Sequence, residues 1–437
     1  MTQVGSAKII YLTAGAAGMY CGSCMHDNAF AKALTQQGWD IQLVPTYTPI
    51  RTDEADVSVD QVFFGGINVY LQQKIPWLQY LPAALDRFLD NPKLIRRVTA
   101  NASETSPQLL GQLSHSMLKG LKGNQRKEVK RLTAWLKSQQ PDLIIFSNIL
   151  IGGCIPHLKS ELDCPILVTL QGDDVFLDSL DEPYKSKCTD QIKQLAPHVD
   201  AFVVHSEFYR EYMGSYLDLD LAKVHVTPLG IDVTDFARFL NAPRDSSSPT
   251  RTIGYLAKLA PQKGLHHLVN AFIELKQRPE TDDIFLKIAG WLGPENKGYA
   301  EQQFTKLNQA GLKESYEYLG VIDRQQKLEM LGSLDVFTVP TEFLEPKALY
   351  ALEAMAAGIP VVFPDHACFP EMIRESKAGL VFAPGNKVAH ADALLKILNE
   401  ESLRHKHGEN GMTFVHNTRN ASAMADSMSQ RIRKLTG

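Results

Sequence analysis

The chain has 437 residues, 44% hydrophobic and 22% charged, with a formal net charge of −4. That length accommodates two or three domains with buried cores, and the near-neutral balance excludes a global pull towards nucleic acid or an anionic membrane. No apolar run approaches the roughly 20 residues of a membrane span, no basic-then-apolar leader opens the chain, and six cysteines in this length do not suggest a disulfide framework, so a reducing cytoplasm is expected.

The first predicted strand is Lys8 to Leu12. It runs into the small-residue loop Thr13 to Gly18, then a helix through about Leu34 that Gly38 ends, and a second strand from Ile41 to Val44. A strand, loop, helix, strand start is the signature of a parallel doubly wound sheet. The glycines Gly15, Gly18 and Gly22 allow close approach of a ligand to the backbone. They do not form G-x-G-x-x-G, and Val44-Pro45-Thr46 ends the second strand without the acid that would bind a ribose of NAD. A dinucleotide-dependent enzyme is therefore disfavoured. Cys21 and Cys24 form a lone C-x-x-C near His26, without the further ligands at matching spacing that a zinc site needs, and read as ordinary cysteines.

Residues 51–138 break the alternation and read as an insertion on the first domain, with helices near 83–100 and 107–138 and an aromatic stretch from Ile75 to Pro82. Between Arg87 and Lys137 there are eleven Lys or Arg against three acids, Asp90, Glu104 and Glu128. This local excess suits either solvated helix faces or a surface for an anionic acceptor or a membrane interface. Alternation resumes with buried-strand runs at 143–146, 166–170, 201–204 and 224–227. A boundary loop covers 240–250. Further strands are predicted at 252–256, 284–289, 316–319, 335–339, 359–363 and 379–382, with helices between them and a polar helical C-terminal segment from about 400 to 435. The expected organisation is an α/β protein of two doubly wound domains. The first spans 1–235 and is completed by a helix at about 415–437; the second spans 236–414.

The most informative segment is Glu345-Pro-Lys-Ala-Leu-Tyr-Ala-Leu-Glu353, which follows a strand. A helix is expected to start near Pro346, since proline suits the first helical position, and to end at Gly358. Its N-terminus would then lie at the carboxyl end of a parallel strand, where ligands bind in open α/β sheets and free N–H groups favour phosphate. Glu345 would stand at the mouth of that site and Glu353 two turns further on. The alternative is a helix-capping Glu345 and a surface Glu353. On the loop Gly254 to Gly264, Lys258 and Lys263 can neutralise a diphosphate, with Gly264 admitting the backbone. No D-x-D motif of the metal-dependent type stands out; Asp173-Asp174 is adjacent, and suits the orientation of a loop or an acceptor.

With these motifs in place the sequence resembles family 4 glycosyltransferases. The resemblance covers nearly the whole chain and is densest from about 224 to 385. It rests on the E-x7-E of Glu345 and Glu353, on Thr227-Pro-Leu-Gly-Ile-Asp232, on Lys258 and Lys263-Gly264, and on Phe369-Pro370-Glu371. It implies a GT-B fold, two Rossmann-like domains facing across a cleft, and a retaining, metal-independent transfer of a hexose from an NDP-sugar, UDP or GDP, to an acceptor hydroxyl. No cofactor is implied beyond that donor, and no nucleic-acid partner; the acceptor would be a carbohydrate, a lipid-linked or a small molecule, reached in the cytoplasm or at the inner face of the membrane. By the same resemblance Glu345 contacts the transferred sugar and Glu353 the ribose. Lys263 and Lys258 hold the pyrophosphate, helped by amides near Ala348 and Leu349. The Gly15 to Gly18 loop serves donor and acceptor, and backbone near Val321 reads the base. Four positions depart from the family pattern: Lys258 stands where arginine is usual, Lys347-Ala348 replaces Phe-Gly, Ala367-Cys368 replaces Gly-Gly, and Gln171, beside Asp173 and Asp174, replaces a histidine. An epimerase or phosphorylase of the same architecture, or a non-catalytic sugar-nucleotide binder, would share most of these features.

Overall fold

The computed structural model describes residues 7–15, 22–59, 107–240 and 250–437. The chain divides into two compact units, Met1–Pro228 with Met424–Gly437, and Leu229–Ala423. Gly18, Cys21, the aromatic stretch at 75–82 and the helix expected near 83–100 lie outside the described residues.

The first unit holds a six-stranded sheet in the order β2-β1-β3-β4-β5-β6. Its strands are β1 (Lys8–Thr13), β2 (Asp40–Pro45), β3 (Leu143–Phe146), β4 (Ile166–Thr169), β5 (Ala201–Val204) and β6 (Val224–Val226). All pairings are parallel, with Ile9 opposite Ile41 on one side of β1 and Leu143 on the other. Every residue of β3, β4 and β5 is buried. That is why these strands read as unbroken apolar runs: helices cover both faces of a parallel sheet. The helices are α1 (Gly22–Gln36), α2 (Pro107–Leu118), α3 (Arg126–Gln139), α4 (Ile155–Glu161), α5 (Asp173–Asp178), α6 (Tyr184–Leu195) and α7 (Glu207–Leu217). The single helix expected at 107–138 is two, α2 and α3, because a 3-10 turn at Gly120–Lys122 intervenes. Gly120 has φ +55 and packs so closely that a Cβ there would lie 2.1 Å from the carbonyl oxygen of Gly153.

The second unit repeats the plan with the order β12-β11-β10-β7-β8-β9. Its strands are β7 (Arg251–Leu256), β8 (Ile284–Ala289), β9 (Tyr316–Tyr318), β10 (Val336–Phe337), β11 (Val361–Pro364) and β12 (Gly379–Phe382), all paired in parallel. Its helices are α8 (Leu265–Lys276), α9 (Lys297–Gln309), α10 (Arg324–Gly332), α11 (Leu349–Ala356), α12 (Phe369–Ser376), α13 (Lys387–Asn399) and α14 (Glu401–Thr418). The last helix, α15 (Ala421–Thr436), carries the chain back to the first unit. There the Trp39 indole N–H donates to Ser429 Oγ at 2.8 Å, and Gln37 donates to Asp426.

In both units the strand order reverses beside the first strand. β1 lies between β2 and β3, and β7 between β8 and β10. Loops leaving the carboxyl ends at such a reversal diverge to opposite faces and open a crevice, the general ligand position of this sheet class.

Candidate active site

At the reversal in the second unit, two loops meet. One leaves β7 and carries Lys258 to Gly264; the other leaves β10 and carries Thr338 to Ala348. Gly264 sets their spacing. Its φ is +69, and a Cβ there would lie 1.7 Å from the Pro340 carbonyl oxygen, so only glycine lets the two backbones approach this closely. The 3-10 turn Pro261–Lys263 just before it delivers Lys263 to the facing loop. Its ammonium donates to Glu345 Oε2 at 2.8 Å and lies 4.3 Å from the ring centroid of Phe343 and 5.1 Å from that of Tyr350.

Glu345 is 4% exposed. Besides Lys263, its carboxylate accepts from the Ala348 backbone N–H at 3.1 Å and from the Tyr350 hydroxyl at 3.0 Å. Burial pushes its pKa up, but the charge and hydrogen bond of Lys263 and the bonds from Ala348 and Tyr350 outweigh that, and the carboxyl is held below its ordinary value. Each of its neighbours is a donor or a cation, which is what a buried carboxylate requires.

This network moves the start of α11. The helix begins at Leu349 rather than near Pro346, because Glu345 folds back onto the Ala348 N–H and Ala348 adopts the left-handed conformation, φ 50 and ψ 57. Residues 346–348 thus form a turn ahead of the helix. The Ala348 amide is already bonded to Glu345, so the free amides at this helix end begin with Leu349, a half-buried residue. Lys347 and Ala348 are buried in the turn. Gly358, φ +72, follows the helix as expected.

Glu353 lies on α11, is buried, and pairs with Lys327 of α10 at 2.5 Å. Each acid of the E-x7-E pair is therefore matched by one lysine. Lys258 stands apart from the Glu345 network: it is half-exposed, 3.2 Å from Glu295, with its ammonium 4.8 Å from the Trp291 ring. Val321 is half-exposed beside Gly320, whose carbonyl accepts from the Gly290 N–H at 2.9 Å.

In the first unit the reversal is organised by a second buried carboxylate, Asp27 of α1. It accepts from Tyr11 Oη at 2.5 Å, Thr13 Oγ1 at 2.7 Å and Gln171 Nε2 at 3.0 Å, with His26 Nδ1 at 3.1 Å. Burial raises its pKa, but His26 and the two hydroxyls prevail and hold it below the ordinary value. Gln171 also donates to the Ser147 carbonyl at 2.8 Å, joining the ends of β3 and β4 to α1. Asp173 accepts from the backbone N–H groups of Ile149 and Gln171, at 2.8 and 3.0 Å; burial lifts its pKa to about 7 against these bonds, with the neighbouring Asp174 adding to the rise. Asp174 accepts from the Tyr209 hydroxyl, and burial raises its pKa as well. The adjacent aspartates thus brace loops. Gly15, φ +93, presses against the Thr48 carbonyl, where a Cβ would lie 1.8 Å away.

Sequence reasoning missed Tyr350, Lys327 and Asp27. Asp27 had a legible signal: His26, Asp27 and Asn28 are three consecutive polar residues within a predicted helix, and the structure buries all three.

Residues 240–414 match the family described as Glycosyl transferases group 1, and residues 116–235 match Glycosyltransferase Family 4. Among curated relatives, a phosphatidyl-myo-inositol mannosyltransferase of Mycobacterium leprae is 29% identical over 218 residues, 48% of this chain and 56% of the relative. A D-inositol 3-phosphate glycosyltransferase of Corynebacterium glutamicum is 23% identical over 228 residues, 50% and 54% of the two chains. The chain thus spans about half the length of the curated relatives it matches. Among solved structures, sucrose-phosphate synthase from Thermosynechococcus elongatus superposes with a TM-score of 0.68 at 19% identity, covering 98% and 99% of the two chains. Anabaena HepE in complex with UDP and glucose gives 0.65 at 13% identity, covering 98% and 100%.

Proposed function

The chain belongs to the family 4 glycosyltransferases and has the GT-B fold, and from that premise we propose that it moves a hexose from a UDP- or GDP-sugar to an acceptor hydroxyl with retention and without a catalytic metal. The observation that carries the reading is the pairing of half-buried Lys263 with buried Glu345 at the crevice of the second sheet, beside the amides that open α11. Cleaving the sugar–diphosphate bond puts negative charge on the departing nucleotide. Lys263 and the helix N-terminus are placed to stabilise it, which is the largest kind of catalytic contribution available without covalent chemistry. Lys258 adds a second cation on the same loop.

Glu345 orients the sugar and balances positive charge as the bond breaks; its three donors keep it ionised and fixed. Glu353, further along α11, takes the ribose hydroxyls. No protein nucleophile is needed. In the first unit, the network of Asp27 and Gln171 forms the floor of the acceptor side.

The acceptor carries a phosphate group. This rests on a cavity of about 350 Å³ in the first unit, lined by His115, Lys119, Lys122 and Lys187 with Ser116 and Asn124, and by no acid among the described residues. Burial and the charges of Lys119 and Lys187 lower the pKa of His115, as expected where ammonium groups converge. The same basic cavity would serve acceptors presented at the inner face of a membrane.

Release of NDP from UDP-, GDP- and ADP-sugars, with neutral and phosphate-bearing acceptors, tests the proposal. Glu345→Gln is expected to lower kcat by about 100-fold or more, in the range of losing one electrostatic contact to the transition state. Full activity in that variant would remove Glu345 from the site. A product in which the sugar is altered but not transferred would replace transferase with epimerase.

A further inference from the structure

We propose that His266, His267 and Glu342 form a binding site for a divalent transition-metal cation of the zinc class. His266 and His267 are the second and third residues of α8, which follows Lys263 and Gly264, and Glu342 lies three residues before Glu345 on the facing loop. Their Nε2 atoms converge on one oxygen: Glu342 Oε1 is 3.0 Å from His266 Nε2 and 2.9 Å from His267 Nε2. All three potential ligand atoms lie within 4.8 Å of one another. Ligands of a tetrahedral zinc ion, with bonds of roughly 2.0–2.1 Å, stand roughly 3.3 Å apart. The carboxylate oxygen therefore needs to part from each imidazole nitrogen by only a few tenths of an ångström to admit the ion.

Two further observations favour a cation over a simple hydrogen-bonded cluster. First, the His266 ring is oriented from behind. Its Nδ1 is 2.8 Å from the Tyr299 hydroxyl, an outer partner of the kind that fixes the tautomer of a metal-binding histidine. With the ion bound, Nδ1 carries the proton and donates to Tyr299, leaving Nε2 free to ligate; no net proton is lost from that ring. Second, His266 and Glu342 face an open cavity of about 860 Å³ that Tyr299 and Gln303 also line. Two histidines, one carboxylate and an open fourth position for water suit zinc and its borderline neighbours. Lys306 lines the same cavity, with its ammonium held by Asn270.

A bound ion would pin the loop of Glu342 to the first turn of α8; the Glu342 N–H already donates at 2.9 Å to the carbonyl of Gln262, in the 3-10 turn just before that helix. It would thereby stiffen the two loops that carry Lys263 and Glu345. None of the three ligands bonds to either of those residues in the described structure, so the ion sits outside the leaving-group chemistry.

The test is calorimetric titration of tag-free, metal-stripped protein with zinc chloride, with no sugar donor present. One saturable site is expected. His267→Ala and Glu342→Gln should each weaken it at least tenfold, and Tyr299→Phe roughly tenfold, the usual loss for an outer partner. Glu342→Gln keeps an acceptor for the imidazole N–H groups, so it carries the test should the histidine variant misfold. Cobalt(II) should give d–d absorption bands that disappear in Glu342→Gln. Absence of saturable binding, or equal zinc affinity in the wild type and in Glu342→Gln, overturns the assignment. Because only the metal is titrated, either result is independent of whether the chain transfers a sugar.

Discussion

Replacing Lys263 with methionine should destabilise the second unit in a pH-dependent way. Glu345 is fully buried, and Lys263 supplies the charge that keeps it ionised; the bonds from Ala348 and Tyr350 would remain. Removing one partner of a buried ion pair costs about 3–5 kcal/mol, because the other charge is left uncompensated. The sign with pH follows from the direction of each pKa. In the wild type the folded pKa lies below the ordinary value of 4.5, so the stabilising contribution is present above that value and is lost as pH falls through the folded pKa. In Lys263→Met burial dominates and the folded pKa rises above 4.5. The variant then loses stability as pH increases through its own raised pKa. The gap between the two proteins should widen by about 1.4 kcal/mol per pH unit across the window between the two folded values. Because a chain of two units need not unfold in one step, the assay is hydrogen exchange of β7 amides at pH 5 and pH 8, which follows opening of the second unit alone. The double variant Lys263→Met/Glu345→Gln should recover most of the loss, since no buried charge remains. An equal loss at both pH values, with no recovery in the double variant, would refute the reasoning.

Gly264→Ala should cost more than about 3 kcal/mol, since a left-handed alanine is strained and its methyl would strike the Pro340 carbonyl; a matched urea midpoint in variant and wild type would contradict this. Ala348→Gly should stay within about 1 kcal/mol of wild type, because relief of about 1–2 kcal/mol of left-handed strain is offset by a lost buried methyl of about 0.8 and by about 0.4–1 of unfolded-state entropy. Its donor KM therefore reports the shape of the turn with little contribution from stability. Asp173, with its pKa raised to about 7, contributes stability that is fully present below its ordinary value of 3.8 and is lost as pH rises through about 7. Exchange of β3 amides should then show the wild type losing stability over that window relative to Asp173→Asn, at up to about 1.4 kcal/mol per pH unit.

The sheets were legible because a parallel strand buried on both faces has one composition available to it, and runs such as Leu143 to Phe146 and Ile284 to Ala289 carry it. β10 was predicted at 335–339 and its strand covers Val336–Phe337; the flanking Asp335 and Thr338 N–H groups still donate to the Thr252 and Gly254 carbonyls, and the chain beyond them turns towards Gly264. The E-x7-E spacing located Glu345 and Glu353, and the glycine pattern located the loop that faces them. Their lysine partners divide differently. Lys263 follows from its place beside Gly264. Lys327 is the one lysine of α10, nothing in the sequence says that it turns inward, and only its ion pair with Glu353 assigns it. The basic cavity was half-legible for the same reason: Lys119 and Lys122 belong to the basic segment, whereas Lys187 arrives from α6, nearly seventy residues on.

Two of the three departures from glycine, Ala348 and Ala367, show what decides the turn. Both residues have positive φ, 50 and 57, the conformation that glycine adopts without strain. A chain free to relax would leave this region, at a gain of about 1–2 kcal/mol per residue. That both stay there means the surroundings impose the conformation. At Ala348 the imposing group is Glu345, whose carboxylate accepts from the Ala348 N–H while Lys263 and Tyr350 hold it from the other side. At Ala367 the flanking bonds are those of His366, whose ring reaches the Thr341 carbonyl at 3.0 Å, and of Cys368, whose N–H donates to the Glu345 carbonyl at 3.4 Å. Both strained positions thus lie next to groups bonded to the loop that bears Glu345. The bonding around one buried carboxylate, rather than the glycines, sets the geometry at the start of α11, and for that reason the sequence pattern could change here while the turn was kept.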